Sequence, residues 1–191
     1  MEARMPSLGG DALLQSIRHH FELVKDHRDP GRIRIALSDF LMSGFSIFCL
    51  KFSSLLQFER KMRDKEMASH LAPIFKLIEV PSDTQMRSVL DEVNPEDLAP
   101  IFKDLFNRVQ KSKRLDDFHF IDHACLVSVD GSQYFSSRDI HCDSCMSKRM
   151  SEDPEDIIYH HQMLAGCVVH PDQKTVIPLC PEPMRRQDGT H

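Results

Sequence analysis

Leu126-Val127-Ser128-Val129-Asp130-Gly131-Ser132-Gln133-Tyr134 is the stretch whose reading decides the fold. Residues Ala124–Val129 predict a strand, and their almost continuous apolar character predicts a central one, buried on both faces. That strand delivers one carboxylate, Asp130, at its end, with Gly131 directly after it. An Asp-Gly pair behind a strand is usually just a turn. The downstream context favours a chemical role instead. Tyr159–Val169 has β-type composition, Thr175–Leu179 matches it, and His170-Pro171-Asp172-Gln173-Lys174 between them reads as a tight turn. A long antiparallel hairpin therefore follows the acid-bearing strand. Residues 136–158, rich in Cys, Met and charge, read as a loop inserted before that hairpin.

Upstream of Arg114 the periodicity is helical. Asp11–His27 predicts an amphipathic helix with Leu13, Leu14, Ile17, Phe21 and Val24 on one face. Asp29-Pro30-Gly31 ends it. Ile33–Phe52 predicts a second, mostly buried helix, Ser53–Lys65 its continuation or a new one, and Lys65–Ile78 another, broken near Pro73. Ser82, with Gln85 three residues on, forms a capping box ahead of Met86, Val89, Leu90 and Val93. Asn94-Pro95-Glu96-Asp97 marks the next start, with a cap, a first-turn proline and first-turn acids. Leu98, Ile101, Phe102, Leu105, Phe106 and Val109 give its stripe. Residues 1–10 read as a flexible tail and Pro181–Gly189 as coil. The expected organisation is a helical region over 11–114 and the opening of an α/β domain over 115–191, an α+β chain overall.

Composition narrows the class. The chain has 191 residues, 41% of them hydrophobic, enough for one large domain or two small ones. A net charge of -5 argues against a globally basic nucleic-acid coat protein and says nothing against local basic patches. Ile33–Leu56 is the most apolar stretch, yet Arg34, Asp39 and Lys51 interrupt it. A charge at mid-bilayer costs roughly 2.5–3.5 kcal/mol on insertion scales, so a buried core helix is expected and no membrane partner. Glu2, Arg4 and Asp11 stand where a signal peptide would be apolar. The expected location is therefore cytoplasmic, and the six cysteines are expected as thiols or metal ligands rather than disulfides. No Gly-rich phosphate loop is present, so no nucleotide cofactor is expected.

Two constellations could carry chemistry besides Asp130. Cys142-x-x-Cys145 supplies half of a tetrahedral zinc site. His160 and His161, near the start of the next strand, are the candidate partners, with His141 a further option. The bland alternative is a loop with two free thiols. A thioredoxin-like redox motif fits less well, because no helix start follows. The second constellation is basic: Arg18 to Arg34, Arg60 to Lys65, and Lys103 to Arg114 including Lys111, Lys113 and Arg114. These suit phosphate contacts, though solvated helix faces explain most such runs. The helices around Val80–Asp83 fit a helix-turn-helix in which Thr84, Gln85 and Arg87 open the recognition helix. Gln is suited to adenine and Arg to guanine. A packed helical hairpin without DNA contact is the alternative.

Taken in order, Val129-Asp130-Gly131-Ser132-Gln133-Tyr134-Phe135-Ser136-Ser137, Ile140-His141-Cys142-Asp143-Ser144-Cys145, Tyr159-His160-His161-Gln162-Met163-Leu164, His170-Pro171-Asp172 and Val176-Ile177-Pro178-Leu179 resemble bacterial insertion-sequence transposases of the DDE type. The resemblance is strongest over Leu126–Leu179 and extends more weakly to Pro81–Asp91. It implies an RNase H-like catalytic domain, of which residues 115–191 would be the first three strands. It implies cutting and joining of phosphodiester bonds at transposon ends, with Asp130 as the first catalytic acid and a ligand of Mg²⁺ or Mn²⁺. Two-metal phosphoryl transfer needs several converging carboxylates. The family's second Asp and its Glu have no counterpart here; Asp172 sits in a turn and Asp188 in a coil. The expectation is therefore an N-terminal fragment, inactive alone, that binds transposon-end DNA through its helices. Self-association or co-assembly with a full-length transposase would follow. A non-catalytic transposon-end-binding or regulatory protein, and a small zinc-stabilised protein without a DNA role, are the competing readings.

Overall fold

The structure, a computed structural model, describes residues 8–185; the predicted tail over 1–10 falls mostly outside that range, as does Asp188. The chain divides into two compact units at Arg108/Val109. The fold is α+β: among the described residues there are six α-helices and a six-stranded, wholly antiparallel sheet.

The first unit is helical. Its elements are α1 (Gly10–Leu23), α2 (Leu37–Cys49), α3 (Leu55–Met62), α4 (Lys65–Ile74), α5 (Asp83–Leu90) and α6 (Ala99–Lys111), the last running across the boundary. α2 forms the centre, with Phe40 and Met42 buried in the same apolar cluster as Phe58 of α3 and Met86 of α5. The charge that interrupts its apolar sequence is neutralised locally. Asp39 accepts from Arg18 Nη1 at 2.5 Å and from the Ile78 N–H at 3.1 Å. A buried carboxylate is tolerated when it is paired and its lone pairs are filled. The capping box at Ser82 and Gln85 forms as expected and starts α5. Asn94 caps a short 3₁₀ turn, Pro95–Leu98, which leads into α6. No helix among the described residues is long and apolar enough to cross a membrane.

The second unit carries the sheet: β1 (His119–Ile121), β2 (Ala124–Ser137), β3 (Met146–Arg149), β4 (Ile157–Val169), β5 (Ile177–Pro178) and β6 (Glu182–Met184). β2 and β4 form the long ladder, from Leu126↔Val169 to Ser137↔Tyr159. The other edge of β4 is shared by three short strands, with β3 opposite 157–160, β6 opposite 162–164 and β5 opposite 167–168. Among the described residues, β2 has β1 on its second edge only at Ala124 and Cys125.

Four expectations are corrected. The acid-bearing strand does not end at Val129: it continues to Ser137, and Asp130 lies at its middle, opposite Ala165. Gly131 adopts no positive φ, so the Asp-Gly pair makes no turn and simply extends the strand. Nor is that strand covered on both faces, since Val127 and Val129 are 51% and 56% exposed. Finally, the inserted segment is not all loop: it contains β3, which pairs with β4. The expected coil near the C-terminus likewise contains β6, whose Pro183 occupies a sheet edge where a missing N–H is tolerated.

Candidate functional site

The sheet brings three metal-ligating side chains to one point. Cys142 Sγ lies 3.7 Å from Cys145 Sγ. His161 Nε2 lies 3.3 Å from Cys142 Sγ and 3.2 Å from Cys145 Sγ. These are the only three or more His, Cys, Asp or Glu side chains among the described residues whose ligand atoms cluster this way.

Local structure explains the convergence. Cys142-Asp143-Ser144-Cys145 closes a turn in which the Cys145 N–H donates to Cys142 O at 3.1 Å. The Cys142 N–H donates to Cys145 Sγ at 3.3 Å. β3 starts directly after this turn, and its first pair is Met146↔His160. One residue further out, Cys145 falls beside His161. On the other side of β4, the register of β2 shifts between Gln133 and Phe135. Such a bulge sets two residues against one on the partner strand. Here Tyr134 and Phe135 both face His161, with ring centroids 5.9 Å and 5.8 Å away, and Tyr134 is nearly parallel at 13°. The imidazole is thus held by two aromatic rings before any ligand arrives.

His160 is not part of the cluster. Side chains alternate along a strand, so His160 and His161 leave β4 on opposite faces. His141 is adjacent in sequence to Cys142, but its ring stacks on Tyr159 at 4.2 Å and 19°. Cys145 is buried and Cys142 exposed, and all six cysteines are unbridged. Burial pushes the Cys145 thiol above its ordinary range; the Cys142 sulfur pushes it the same way, and only the Cys142 N–H pulls it down. A coordinated cation would reverse that balance, because a metal-bound thiol is deprotonated.

Asp130 stands differently. It is exposed, and its Oδ1 accepts the N–H of its own neighbour Gly131 at 2.8 Å. It belongs to no group of three or more ligating side chains among the described residues. One carboxylate does not suit a two-metal phosphoryl-transfer centre, so the residues present do not fit a Mg²⁺ or Mn²⁺ pair. Asp172 is exposed in its turn, where its N–H donates to His170 Nδ1.

The candidate DNA-contacting residues fall into both units. Thr84, Gln85 and Arg87 are exposed on α5. Gln85 is occupied: its amide oxygen accepts from Ser82 N and Oγ, both at 3.0 Å. The Asp83 N–H at the start of α5 donates to the carboxylate of Glu59. Eight residues, 75–82, separate α4 from α5, longer than the tight turn of a helix-turn-helix. Lys111 closes α6, Lys113 takes a left-handed backbone, and Arg114 lies 3.5 Å from Asp117. Of the earlier basic residues, Arg18 is committed to Asp39. Arg28 binds Asp26 and the Ile35 carbonyl and lies over the Phe40 ring. Those two are structural.

The His161 clamp escaped sequence reading because a bulge cannot be read from composition. The usable signal was the aromatic pair Tyr134-Phe135 facing a strand that carries His. Compared with protein-family models, curated proteins and solved structures, the chain matches none.

Proposed function

We propose that this chain is part of a DDE-type transposase, with DNA-engaging helices followed by the acid-bearing opening of an RNase H-like sheet. The observation that carries the reading is Asp130: an exposed acid at the middle of a fourteen-residue strand that pairs antiparallel with β4, which in turn pairs with β5. The outer edge of β2 supports it. From Leu126 to Ser137 that edge has no partner strand among the described residues, and an apolar strand with an open edge calls for another strand beside it. A further strand there would cover Val127 and Val129 and could bring more carboxylates toward Asp130.

The isolation of Asp130 favours a second reading for the residues in hand: they bind transposon-end DNA without cutting it. Both readings share one test. The full chain is offered a randomised duplex pool, bound sequences are selected, and affinity is followed against salt. Selection of a defined motif, with affinity falling as salt rises, is the expected result. No strand cleavage is expected with Mg²⁺ or Mn²⁺. Absence of DNA binding at low salt contradicts both readings. Sequencing the gene beyond the His191 codon separates them: an in-frame Asp and Glu on later elements supports the catalytic reading, and unrelated sequence supports the binder.

A further inference from the structure

The separations among Cys142, Cys145 and His161 lie within about 0.3 Å of those a tetrahedral ion would impose. Zinc–sulfur bonds of about 2.3 Å and zinc–nitrogen bonds of about 2.0–2.1 Å, at tetrahedral angles, place two sulfurs about 3.8 Å apart and each sulfur about 3.5 Å from the nitrogen. The observed separations are 3.7, 3.3 and 3.2 Å. The two sulfurs are unbridged and lie together with the imidazole nitrogen around one point. We infer that these three side chains bind one zinc ion, with solvent as its fourth ligand beside the exposed Cys142.

The donor chemistry selects the ion. Two thiolates and an imidazole suit zinc, whereas magnesium, calcium and manganese prefer oxygen donors. No carboxylate belongs to the group. The site is also built before the ion arrives. The Cys-x-x-Cys turn is closed by its own backbone bond and by an N–H donated to Cys145 Sγ. His161 is held by Tyr134 and Phe135 across the β2 bulge. Metal bound here ties the segment between β2 and β3 to the first half of β4, joining residues 16 and 19 positions apart in sequence. This role depends neither on DNA nor on Asp130, so it stands or falls separately from the proposed function.

The test uses the untagged full chain, purified under reducing conditions, with zinc measured by elemental mass spectrometry and cobalt(II) as the spectroscopic probe. The expected content is one zinc per chain. Cobalt is expected to give tetrahedral visible bands and thiolate charge transfer, and added imidazole should shift those bands by taking the solvent position. Cys142→Ser and Cys145→Ser should lose the metal, while His160→Ala keeps it. His161→Cys should retain the ion and move the cobalt spectrum toward three sulfurs, a change that a purely structural His161 would not produce. This variant keeps the test decisive if the serine variants fail to fold. A chain that takes up neither zinc nor cobalt overturns the inference. So does zinc retained in the double serine variant, or a Cys142–Cys145 disulfide that forms in the presence of zinc. Cobalt bands insensitive to imidazole overturn the solvent position.

Discussion

The helical unit and the sheet unit solve the same problem by different means. The first closes a shared core around α2, in which Phe40, Met42, Phe58 and Met86 are almost wholly removed from water. The second buries few side chains. Phe118, Cys145 and Val168 are its buried apolar residues, while Leu126, Val127, Val129 and Leu164 remain well exposed. A unit that removes so little apolar surface gains little from the hydrophobic effect. Small units in this position rely on a staple such as a metal or on association. The Cys142–Cys145–His161 group is where the proposed zinc would act as such a staple, and the open edge of β2 is where association would help. Burial therefore holds one half, while the other leaves apolar strand residues exposed and most of one β2 edge without a partner among the described residues.

The comparison can be broken by mutation. Phe58, 1% exposed, is expected to cost about 3–5 kcal/mol when replaced by Ala. Leu164, 45% exposed, should cost no more than about 0.5 kcal/mol. Denaturant unfolding of the two variants checks this, and equal losses would mean that the sheet has a core of its own. A smaller effect sharpens the metal side. Tyr134→Ala removes the ring stacked on His161 and is expected to weaken zinc binding about tenfold, the lower end for groups that orient a ligand. Competition with a chromophoric chelator reads it, and the unfolding of the helical unit should not change.

Ser82→Ala removes the hydroxyl that caps α5 and should cost about 1 kcal/mol, seen as a lower denaturation midpoint for the helical unit. The smallest effect is acid-dependent. The Arg28 guanidinium holds the Asp26 carboxyl below its ordinary range. That contribution is present above the unfolded value, near pH 4, and is lost as pH falls through the lower folded value. The pair is partly exposed, with side chains 22% and 19% accessible, so Asp26→Asn should flatten the acid limb of the stability curve by under about 1 kcal/mol. Thermal melts between neutral pH and pH 3 would measure it, with wild type as reference.

The sequence was legible where a local rule had one outcome. Ser82 and Gln85 could satisfy each other only as a capping box, and Asn94-Pro95 could only open a helix, so α5 and α6 start near where they were expected. The two cysteines meet His161, one of the three histidines that the sequence left open as partners. Legibility failed where tertiary pairing decided. Asp130-Gly131 resembles a turn in isolation, but eleven residues of β4, Tyr159–Val169, hold it extended. Met146–Arg149 carries two cations and no alternation, so only its partner strand makes it a strand. His160 and His161 are adjacent on a period of two, and the choice between them depends on which face the Cys-x-x-Cys turn approaches. That face is set by the β3–β4 register, which composition does not encode. The apolar run Leu126–Val129 predicted burial because hydrophobic strands are usually covered, and here the cover is missing among the described residues.

Amide hydrogen exchange on the full chain, zinc-loaded and after chelation, tests the contrast between the two halves most directly. The expected result is that chelation strips protection from Cys142–Arg149 and from the His160–Gly166 part of β4, while α2 and α5 exchange as before. Equal protection of the sheet with and without zinc would contradict the claim that ligation, rather than burial, orders that half.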